Sequence, residues 1–204
     1  MRELSALILD YGEVLSRPQR ADCVAAMAGR LGVAVEAFRD AYWRHRRPYD
    51  AGLPAAEYWG RVLETLGHGA PAADRAATLD WLVATDVASW TAYREETWAL
   101  ARAFRAGGRR TAFLSNGVPE VIARLRAERA LDACFDVVVV SSAVGLTKPD
   151  PRIYTLCLER LGTVPERTLF VDDRAENIEA AARLGIRTLH FAGDDALDRL
   201  RALL

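Results

Sequence analysis

The sequence is poor in cysteine and histidine and has no excess of charge of either sign. Three cysteines and three histidines occur among 204 residues, and 27 basic residues stand against 28 acidic ones. Cys23, Cys134 and Cys157 are far apart and match neither a CxxC pair nor a zinc-ligand spacing. They are therefore expected to be free thiols in a reducing compartment, which argues against a disulfide scaffold.

The charge balance and the hydropathy pattern limit the expected partners. A formal net charge of -1 provides no basic field, so nucleic acid is not an expected partner. No apolar run reaches the length of a membrane span, and Asp10 interrupts the short apolar run near the N-terminus, so no signal peptide is expected. We therefore expect a cytoplasmic protein with no membrane partner, either a monomer or a homodimer.

The hydrophobic content of 51% is enough for one sizeable core, alone or with a smaller inserted domain. An apolar run from Leu4 leads to Asp10 and stops at Gly12. This pattern predicts a buried strand that presents a carboxylate at its carboxyl end.

Helical patterns then continue to about residue 91. The candidate helices cover residues 22–31, 35–46, 54–66 and 71–84, with turns between them that include residues 48–52, and Pro18 is well placed to open a helix. Four helices are too many for a simple crossover between parallel strands. We therefore predict that residues 18–91 form an inserted helical cap, and that residues 1–17 and 92–204 form the core.

Strands and helices alternate in the rest of the chain. The predicted strands cover residues 109–114, 135–140, 168–171 and 187–191, with a helical pattern between successive strands. This order predicts an α/β core, a doubly wound, Rossmann-like parallel sheet with helices on both faces.

Polar residues follow four of the predicted strands. They are Asp10, then Ser115-Asn116-Gly117, then Lys148, then Asp172-Asp173. Because the carboxyl ends of parallel strands lie at one edge of the sheet, we expect these groups to converge. The hydroxyl, amide and backbone N–H groups suit an anion, and the paired carboxylates suit Mg2+.

These residues lie in four motifs that resemble those of one superfamily. The motifs are LILDYGEVL around Asp10, FLSNG around Ser115, KPDP from Lys148, and FVDDRAEN around Asp172. In this order they are similar to the motifs of the haloacid dehalogenase-like hydrolases, and the resemblance covers nearly the whole chain. The helical insertion places the chain with the helical-cap phosphatases, near their sugar-1-phosphatase-like members.

The resemblance implies an Mg2+-dependent phosphomonoester hydrolase that acts on a small phosphorylated metabolite. Asp10 would attack phosphorus and become a transient aspartyl phosphate. Ser115, Asn116 and Gly117 would hold the phosphoryl oxygens, and Lys148 would neutralise the charge of the phosphate and the nucleophile.

The resemblance also implies the ligands of the metal ion. Asp173, helped by Asp172, would bind Mg2+ together with Asp10 and the backbone carbonyl of Gly12. Asn177 would steady the loop on the metal side.

The sequence departs from the family pattern at Gly12. Phosphatases of this superfamily usually carry a second Asp there, which protonates the leaving group and activates water, although the sugar-1-phosphatase-like members also have Gly. Loss of such a group commonly lowers the rate by about 10^2 to 10^4. Glu13 could replace the missing Asp in proton transfer, but it lies one residue out of register. It is more simply interpreted as a solvated carboxylate in a turn.

Two alternatives therefore stay open. The first is a slow or inactive homologue that binds a phosphate ligand and has a regulatory role. The second is a 2-haloacid dehalogenase, because that branch also lacks the second Asp and needs no Mg2+. The fourth motif of the dehalogenases resembles Ser-Asn-x-x-x-Asp and does not contain two adjacent acids. The pair Asp172-Asp173 therefore favours phosphate chemistry.

The predicted cap is less informative. The basic run Arg44, His45, Arg46 and Arg47 is expected to form a solvated helix face. The aromatic residues Trp43, Tyr49, Trp59, Trp81 and Trp90 are expected mainly in the core of the helical bundle, with a substrate pocket as the alternative.

Overall fold

The chain folds around a five-stranded parallel sheet with strand order β3-β2-β1-β4-β5. The computed structural model describes residues 3–69 and 72–204. The strands are β1 (Ala6–Leu9), β2 (Arg110–Ser115), β3 (Val137–Val140), β4 (Thr168–Asp172) and β5 (Arg187–His190). The predicted α/β class and its doubly wound sheet are confirmed.

Strand β1 lies in the centre of the sheet and is buried on both faces. Leu7 and Leu9 pack into one hydrophobic cluster, whereas Ala6 and Ile8 pack into a second cluster on the opposite face. All four side chains are fully buried, as expected for a central parallel strand covered on both sides.

Among the described residues, seven helices lie in the part of the chain from residue 95 onwards, which also contains β2 to β5. They are α6 (Glu95–Ala106), α7 (Pro119–Arg129), α8 (Leu131–Cys134), α9 (Ser141–Val144), α10 (Pro151–Leu161), α11 (Ala175–Arg183) and α12 (Ala196–Leu203), and a short 3-10 turn (Pro165–Arg167) precedes β4. Helix α10 contributes Ile153 and Cys157 to the cluster that contains Ile8, whereas α6 contributes Trp98 and Phe104 to the cluster that contains Leu9. Helices therefore cover both faces of the sheet.

Five helices lie between β1 and α6 in the chain. They are α1 (Ala21–Leu31), α2 (Val35–Arg44), α3 (Arg46–Asp50), α4 (Ala55–Thr65) and α5 (Ala72–Ser89). We refer to Ala21–Ser89 as the helical segment. Among the residues that the structure describes, no helix is both long and apolar enough to cross a membrane.

The helical segment differs from its predicted boundaries in three places. Residues 48–52 were predicted as a turn, but α3 begins at Arg46, and Pro48 is tolerated because the first turn of a helix leaves its N–H groups unused. Helix α1 begins at Ala21 and not at Pro18. Helix α5 extends to Ser89, and its predicted start at Pro71 lies outside the described residues.

The turn Tyr11–Leu15 leads the chain out of β1. Ser16 N–H donates to the Tyr11 carbonyl at 2.8 Å. The indole N–H of Trp98 donates to the Leu15 carbonyl at 2.9 Å. Trp98 also packs edge-on against Phe135, with a centroid distance of 5.8 Å. The end of the turn that follows β1 is thereby held against α6.

Replacement of Trp98 by Ala is expected to lower the free energy of unfolding by about 3–5 kcal/mol, because the side chain is fully buried and its removal leaves a cavity. The matched control is Trp43→Ala, at a Trp that is 49% exposed, where we expect a loss of about 1 kcal/mol or less. Urea denaturation of both variants measures the difference, and equal losses would contradict the assignment of Trp98 to the core.

Candidate active site

Lys148 joins groups from three strand ends. Its ammonium Nζ lies 2.8 Å from Asp10 Oδ1 and 2.6 Å from Asp172 Oδ2, and it donates to the Leu114 carbonyl at 3.1 Å. Lys148, Asp10 and Asp172 are all buried. Burial by itself lowers the pKa of Lys148, but the two carboxylates outweigh this effect and raise it. The predicted convergence of these residues is therefore present in the structure.

The carboxylates nevertheless outnumber this cation. One oxygen from each of Asp10, Asp172 and Asp173 lies within 4.8 Å of the other two. Burial, opposed by Lys148 and reinforced by the other two carboxylates, raises the pKa of Asp10 to about 7. Burial and the charges of Asp172 and Glu13 raise the pKa of Asp173 to about 6. The cluster therefore has an unbalanced negative charge.

Besides its contact with Lys148, Asp172 accepts two hydrogen bonds from its own loop. Its Oδ2 accepts the Lys148 ammonium, and its Oδ1 accepts the Arg174 N–H and the Asn177 Nδ2, each at 2.9 Å. The side chain of Asn177 thus holds the predicted metal-side loop by bonding to Asp172. Both carboxylate oxygens of Asp172 already accept hydrogen bonds. Asp10 and Asp173 are therefore better able than Asp172 to coordinate a cation.

The loop after β2 is locked to the loop that carries Lys148. Asn116 Nδ2 donates to the Lys148 carbonyl at 2.9 Å, and the Lys148 N–H donates to Asn116 Oδ1 at 2.7 Å. The Gly117 N–H donates to Ser141 Oγ at 3.0 Å, so it is already used. The Ser115 hydroxyl and the backbone of Asn116 are the remaining predicted phosphate donors, and both residues border the cavity described next.

A cavity of about 400 Å³ opens over these groups. Of the predicted site residues, Asp172 alone does not border it, and this side chain is fully buried. The other wall comes from the helical segment and the residues just before and after it, and includes Gln19, Arg39, Trp43, Arg46, Asp50 and Trp90.

The motifs did not predict this second wall. Arg46 is buried and pairs with Asp50 at 2.8 Å, so the expectation of a solvated basic run is wrong at this position, although Arg44 and Arg47 are exposed. Trp59 and Tyr49 are core residues as expected, whereas Trp43 and Trp90 border the cavity.

Gly12 and Glu13 lie at the edge of the cavity, next to Asp10. A Cβ atom built on Gly12 would meet no atom within 4 Å, and the φ of Gly12 is -56°, which any residue adopts. Glu13 is exposed and has a φ of 55°, an uncommon value for a residue with a side chain. Its backbone is held there by Ser16 Oγ, which accepts the Glu13 N–H at 3.2 Å, and by Arg94, which donates to the Glu13 carbonyl.

The donor set fits a small divalent cation. Three clustered carboxylates offer the hard oxygen ligands that Mg2+ takes in proteins. The Asn177 Oδ1 atom is also buried without a hydrogen-bond partner among the described residues, and Asn177 borders the cavity. Because Mg2+ usually retains several waters, a hydrated ion suits both the excess charge and this acceptor.

Comparison with known proteins gives the family. The sequence model of the haloacid dehalogenase-like hydrolases matches residues 5–185. The chain belongs to this family of hydrolases.

The curated relatives of this hydrolase include two phosphatases and a dehalogenase. The chain is 32% identical to a phosphoserine phosphatase of Thermus thermophilus over 74% of the chain and 62% of the relative, and 33% identical to a GMP/IMP nucleotidase of Escherichia coli over 50% and 46%. It is also 37% identical to (S)-2-haloacid dehalogenase 1 of a Pseudomonas strain over 44% and 39%. The matches cover less than two thirds of the length of these relatives.

The fold of this hydrolase is shared with solved members of the family. A family enzyme from Bacteroides thetaiotaomicron has a TM-score of 0.78 at 19% identity, with 98% of this chain and 99% of the other covered. A second structure of that enzyme, with a TM-score of 0.71 at 20% identity over 91% of this chain and 92% of the other, is a complex with magnesium and inorganic phosphate.

The raised pKa of Asp10 predicts how stability changes with pH in metal-free protein. The pKa is about 7 in the fold against 3.8 ordinarily, so the folded state binds the proton more tightly than the unfolded chain. The contribution of Asp10 to the free energy of unfolding therefore decreases as the pH rises from about 4 to about 7, by at most about 1.4 kcal/mol per pH unit.

The variant Asp10→Asn lacks this titration, so its stability is expected to decrease less than that of the wild type over the same range. Urea denaturation with a chelator at pH 5, 6 and 7 measures the difference. Asp194→Asn, at an exposed position, is the control and should follow the wild type. Parallel curves for wild type and Asp10→Asn would contradict the raised pKa.

Proposed function

We propose that this protein is an Mg2+-dependent phosphomonoester hydrolase that acts on a small phosphorylated metabolite through an aspartyl-phosphate intermediate. The observation that carries the proposal is the cluster of buried Asp10, Lys148 and Asp172 with half-buried Asp173, three of which, Asp10, Lys148 and Asp173, border a cavity of about 400 Å³. The phosphatase relatives support the same chemistry.

In the first step, a carboxylate oxygen of Asp10 forms a bond to phosphorus, and the bond between phosphorus and the ester oxygen breaks. The leaving oxygen departs with the bonding electron pair and takes up a proton from water. In the second step, water forms a bond to the phosphorus of the aspartyl phosphate and loses a proton to the solvent. The bond between phosphorus and the Asp10 oxygen breaks, which releases inorganic phosphate and restores the Asp10 carboxylate.

Lys148 and the loop after β2 stabilise the charge that develops on phosphorus. The Lys148 ammonium already contacts Asp10 Oδ1 at 2.8 Å, so it stands beside the transferring group and favours the ionised form of the nucleophile against the opposing effect of burial. Ser115 and the backbone of Asn116 donate to the phosphoryl oxygens. Asn116 also fixes Lys148 through the paired bonds between the two loops.

The metal ion, when bound, offsets the repulsion between the Asp10 carboxylate and an anionic substrate. Asp10 and Asp173 would hold it with the Gly12 carbonyl, while Asp172 positions Lys148 and Asn177 through its hydrogen bonds. The complex of the Bacteroides enzyme with magnesium and phosphate supports the choice of Mg2+ as the ion.

In this proposal residues 18–91, which include the helical segment, form a cap domain over the core. Two hydrogen bonds between the helical segment and the core support this arrangement. Tyr49 donates its hydroxyl to Glu120 Oε2 at 3.0 Å, and Ser141 Oγ donates to the Asp50 carbonyl at 2.5 Å. A cap in this position excludes water from the first step and supplies the wall that contacts the leaving group.

Asp10→Asn is expected to abolish turnover of p-nitrophenyl phosphate, by at least about 10^4, because an amide does not form the phosphoenzyme. A chelator should likewise abolish the activity of the wild type, and added Mg2+ should restore it. Release of p-nitrophenolate measures both effects, and the exposed variant Asp194→Asn serves as the control.

Two outcomes of this assay would contradict the proposal. Absence of multiple turnover on any phosphate ester in a broad panel with Mg2+ would favour a phosphate-binding homologue that does not turn over. Halide release from a 2-haloacid without metal would favour the dehalogenase activity that the relative from Pseudomonas carries.

The replacement Gly12→Asp is expected to increase turnover of alkyl phosphates by about 10–100-fold. The new carboxyl finds open space and an allowed φ, and it supplies the general acid that the chain lacks. Turnover of p-nitrophenyl phosphate should change much less, because its phenolate leaves without protonation.

Gly12→Asn is the matched control, since it has the same shape and transfers no proton. An equal gain in both variants would show that the effect is steric. Glu13→Gln in the wild-type background separately tests the substitute acid. If Glu13→Gln lowers the turnover of alkyl but not of aryl esters, proton transfer is assigned to Glu13. In that case Gly12→Asp should give no increase in turnover.

A further inference from the structure

Within residues 3–69 and 72–204, one basic side chain at the cavity has no hydrogen-bond or ion-pair partner. Four basic residues border the cavity, and three of them pair with a carboxylate. These pairs are Arg46–Asp50 at 2.8 Å, Lys148–Asp10 at 2.8 Å and Arg174–Glu176 at 2.6 Å. The fourth, Arg39 on α2, is exposed, and its guanidinium forms no hydrogen bond or ion pair within the part of the chain that the structure describes. Its five N–H donors are therefore available to a ligand.

An exposed aromatic plane lies one helical turn further on. Trp43 is four residues after Arg39 on α2, so both side chains lie on the same face of the helix, and both border the cavity. Among the described residues, Trp43 and Val164 are the large hydrophobic side chains that remain exposed, and Trp43 is 49% exposed. The rings of Tyr42 and Trp90 lie nearly perpendicular to it, at 5.0 and 6.4 Å between centroids, and the exposed half of Trp43 remains accessible to a ligand.

We propose that the substrate is a phosphate ester whose leaving group carries a planar aromatic ring with hydrogen-bond acceptors at its edge. This rests on the phosphatase function proposed above. The ring stacks on Trp43, and the acceptors bind the guanidinium of Arg39. A guanidinium only donates, in a planar fork, so it selects paired acceptors and rejects an edge that presents an amino group.

The volume of the cavity agrees with a ligand of this size. About 400 Å³ is at the lower end of the range for small-molecule sites, which suits a mononucleotide or a similar ring phosphate. Guanosine 5'-monophosphate presents the acceptors O6 and N7 side by side, whereas adenosine 5'-monophosphate presents an amino donor next to N7. Glucose 1-phosphate has a saturated pyranose ring and no planar aromatic ring to stack on Trp43.

The experiment compares kcat/KM for these three esters in the wild type and four variants. We expect guanosine 5'-monophosphate to be the best substrate and glucose 1-phosphate the poorest. Arg39→Ala should lower kcat/KM for the guanosine ester about tenfold and abolish its preference over the adenosine ester. Trp43→Ala should lower kcat/KM for both purine esters about tenfold relative to the value for glucose 1-phosphate. Trp43→Phe should retain most of the preference for the purine esters.

The control variant is Arg44→Ala. Arg44 is an exposed arginine on the same helix that does not border the cavity, so its replacement should leave all three values unchanged. Glucose 1-phosphate turned over as well as the purine esters, with no change of ratio in Arg39→Ala or Trp43→Ala, would overturn the substrate class while leaving the hydrolase intact.

Calorimetry on Asp10→Asn separates this inference from the proposed function, because binding is then measured without turnover. Guanosine 5'-monophosphate should bind the variant in Mg2+, and Arg39→Ala in the same background should weaken binding about tenfold. Binding of this kind together with absent turnover in the wild type would refute the phosphatase and keep the ring site. Equal affinity in the presence and absence of Arg39 would refute the ring site.

Discussion

The buried contact of the Lys148 ammonium with Asp10 and Asp172 is the constraint on which the rest of the site depends. A charge removed from water needs partners, and Lys148 has two carboxylates and the Leu114 carbonyl. These partners come from the ends of β1, β2 and β4, so the contact sets the relative position of three strand ends. The carboxylates are in turn kept close together, with more negative charge than one lysine balances. That excess makes the edge of the sheet suitable for a cation.

The sequence was sufficient to predict this part of the site. The apolar pattern that locates β1 and β4 is local, and the rule that parallel strands end at one edge is general, so the convergence of Asp10 and Asp172 follows without any knowledge of side-chain packing. Lys148 lies eight residues after β3, and the KPDP motif was the signal that identified it. The same rule does not predict which hydrogen bonds the converging residues make. The Gly117 N–H was predicted to bind an anion, but it donates to Ser141 Oγ, and Ser141 lies in a helix that the sequence pattern did not predict.

The wall formed by the helical segment was beyond sequence reasoning for a different reason. Arg46 belongs to a run of basic residues that resembles a solvated face, and its neighbours Arg44 and Arg47 are indeed exposed. Its burial depends on Asp50 one turn later and on Asp86, which α5 places 3.6 Å away. The exposure of Trp43 depends in the same way on how α2 and α5 pack. Periodicity predicts which residues are helical, but the packing of one helix on another decides which side chains face the cavity.

The position of β1 in the sheet has a consequence for the order in which the chain folds. During synthesis β1 is made first, yet one of its neighbours is β2 and the other is β4, and these strands are separated from it by the helical segment and by most of the later helices. Until Thr168–Asp172 has emerged, one side of a wholly apolar strand lacks its backbone partners. Such an open edge pairs readily with other chains, so the nascent protein is most exposed to aggregation after β2 has formed and before β4 is complete.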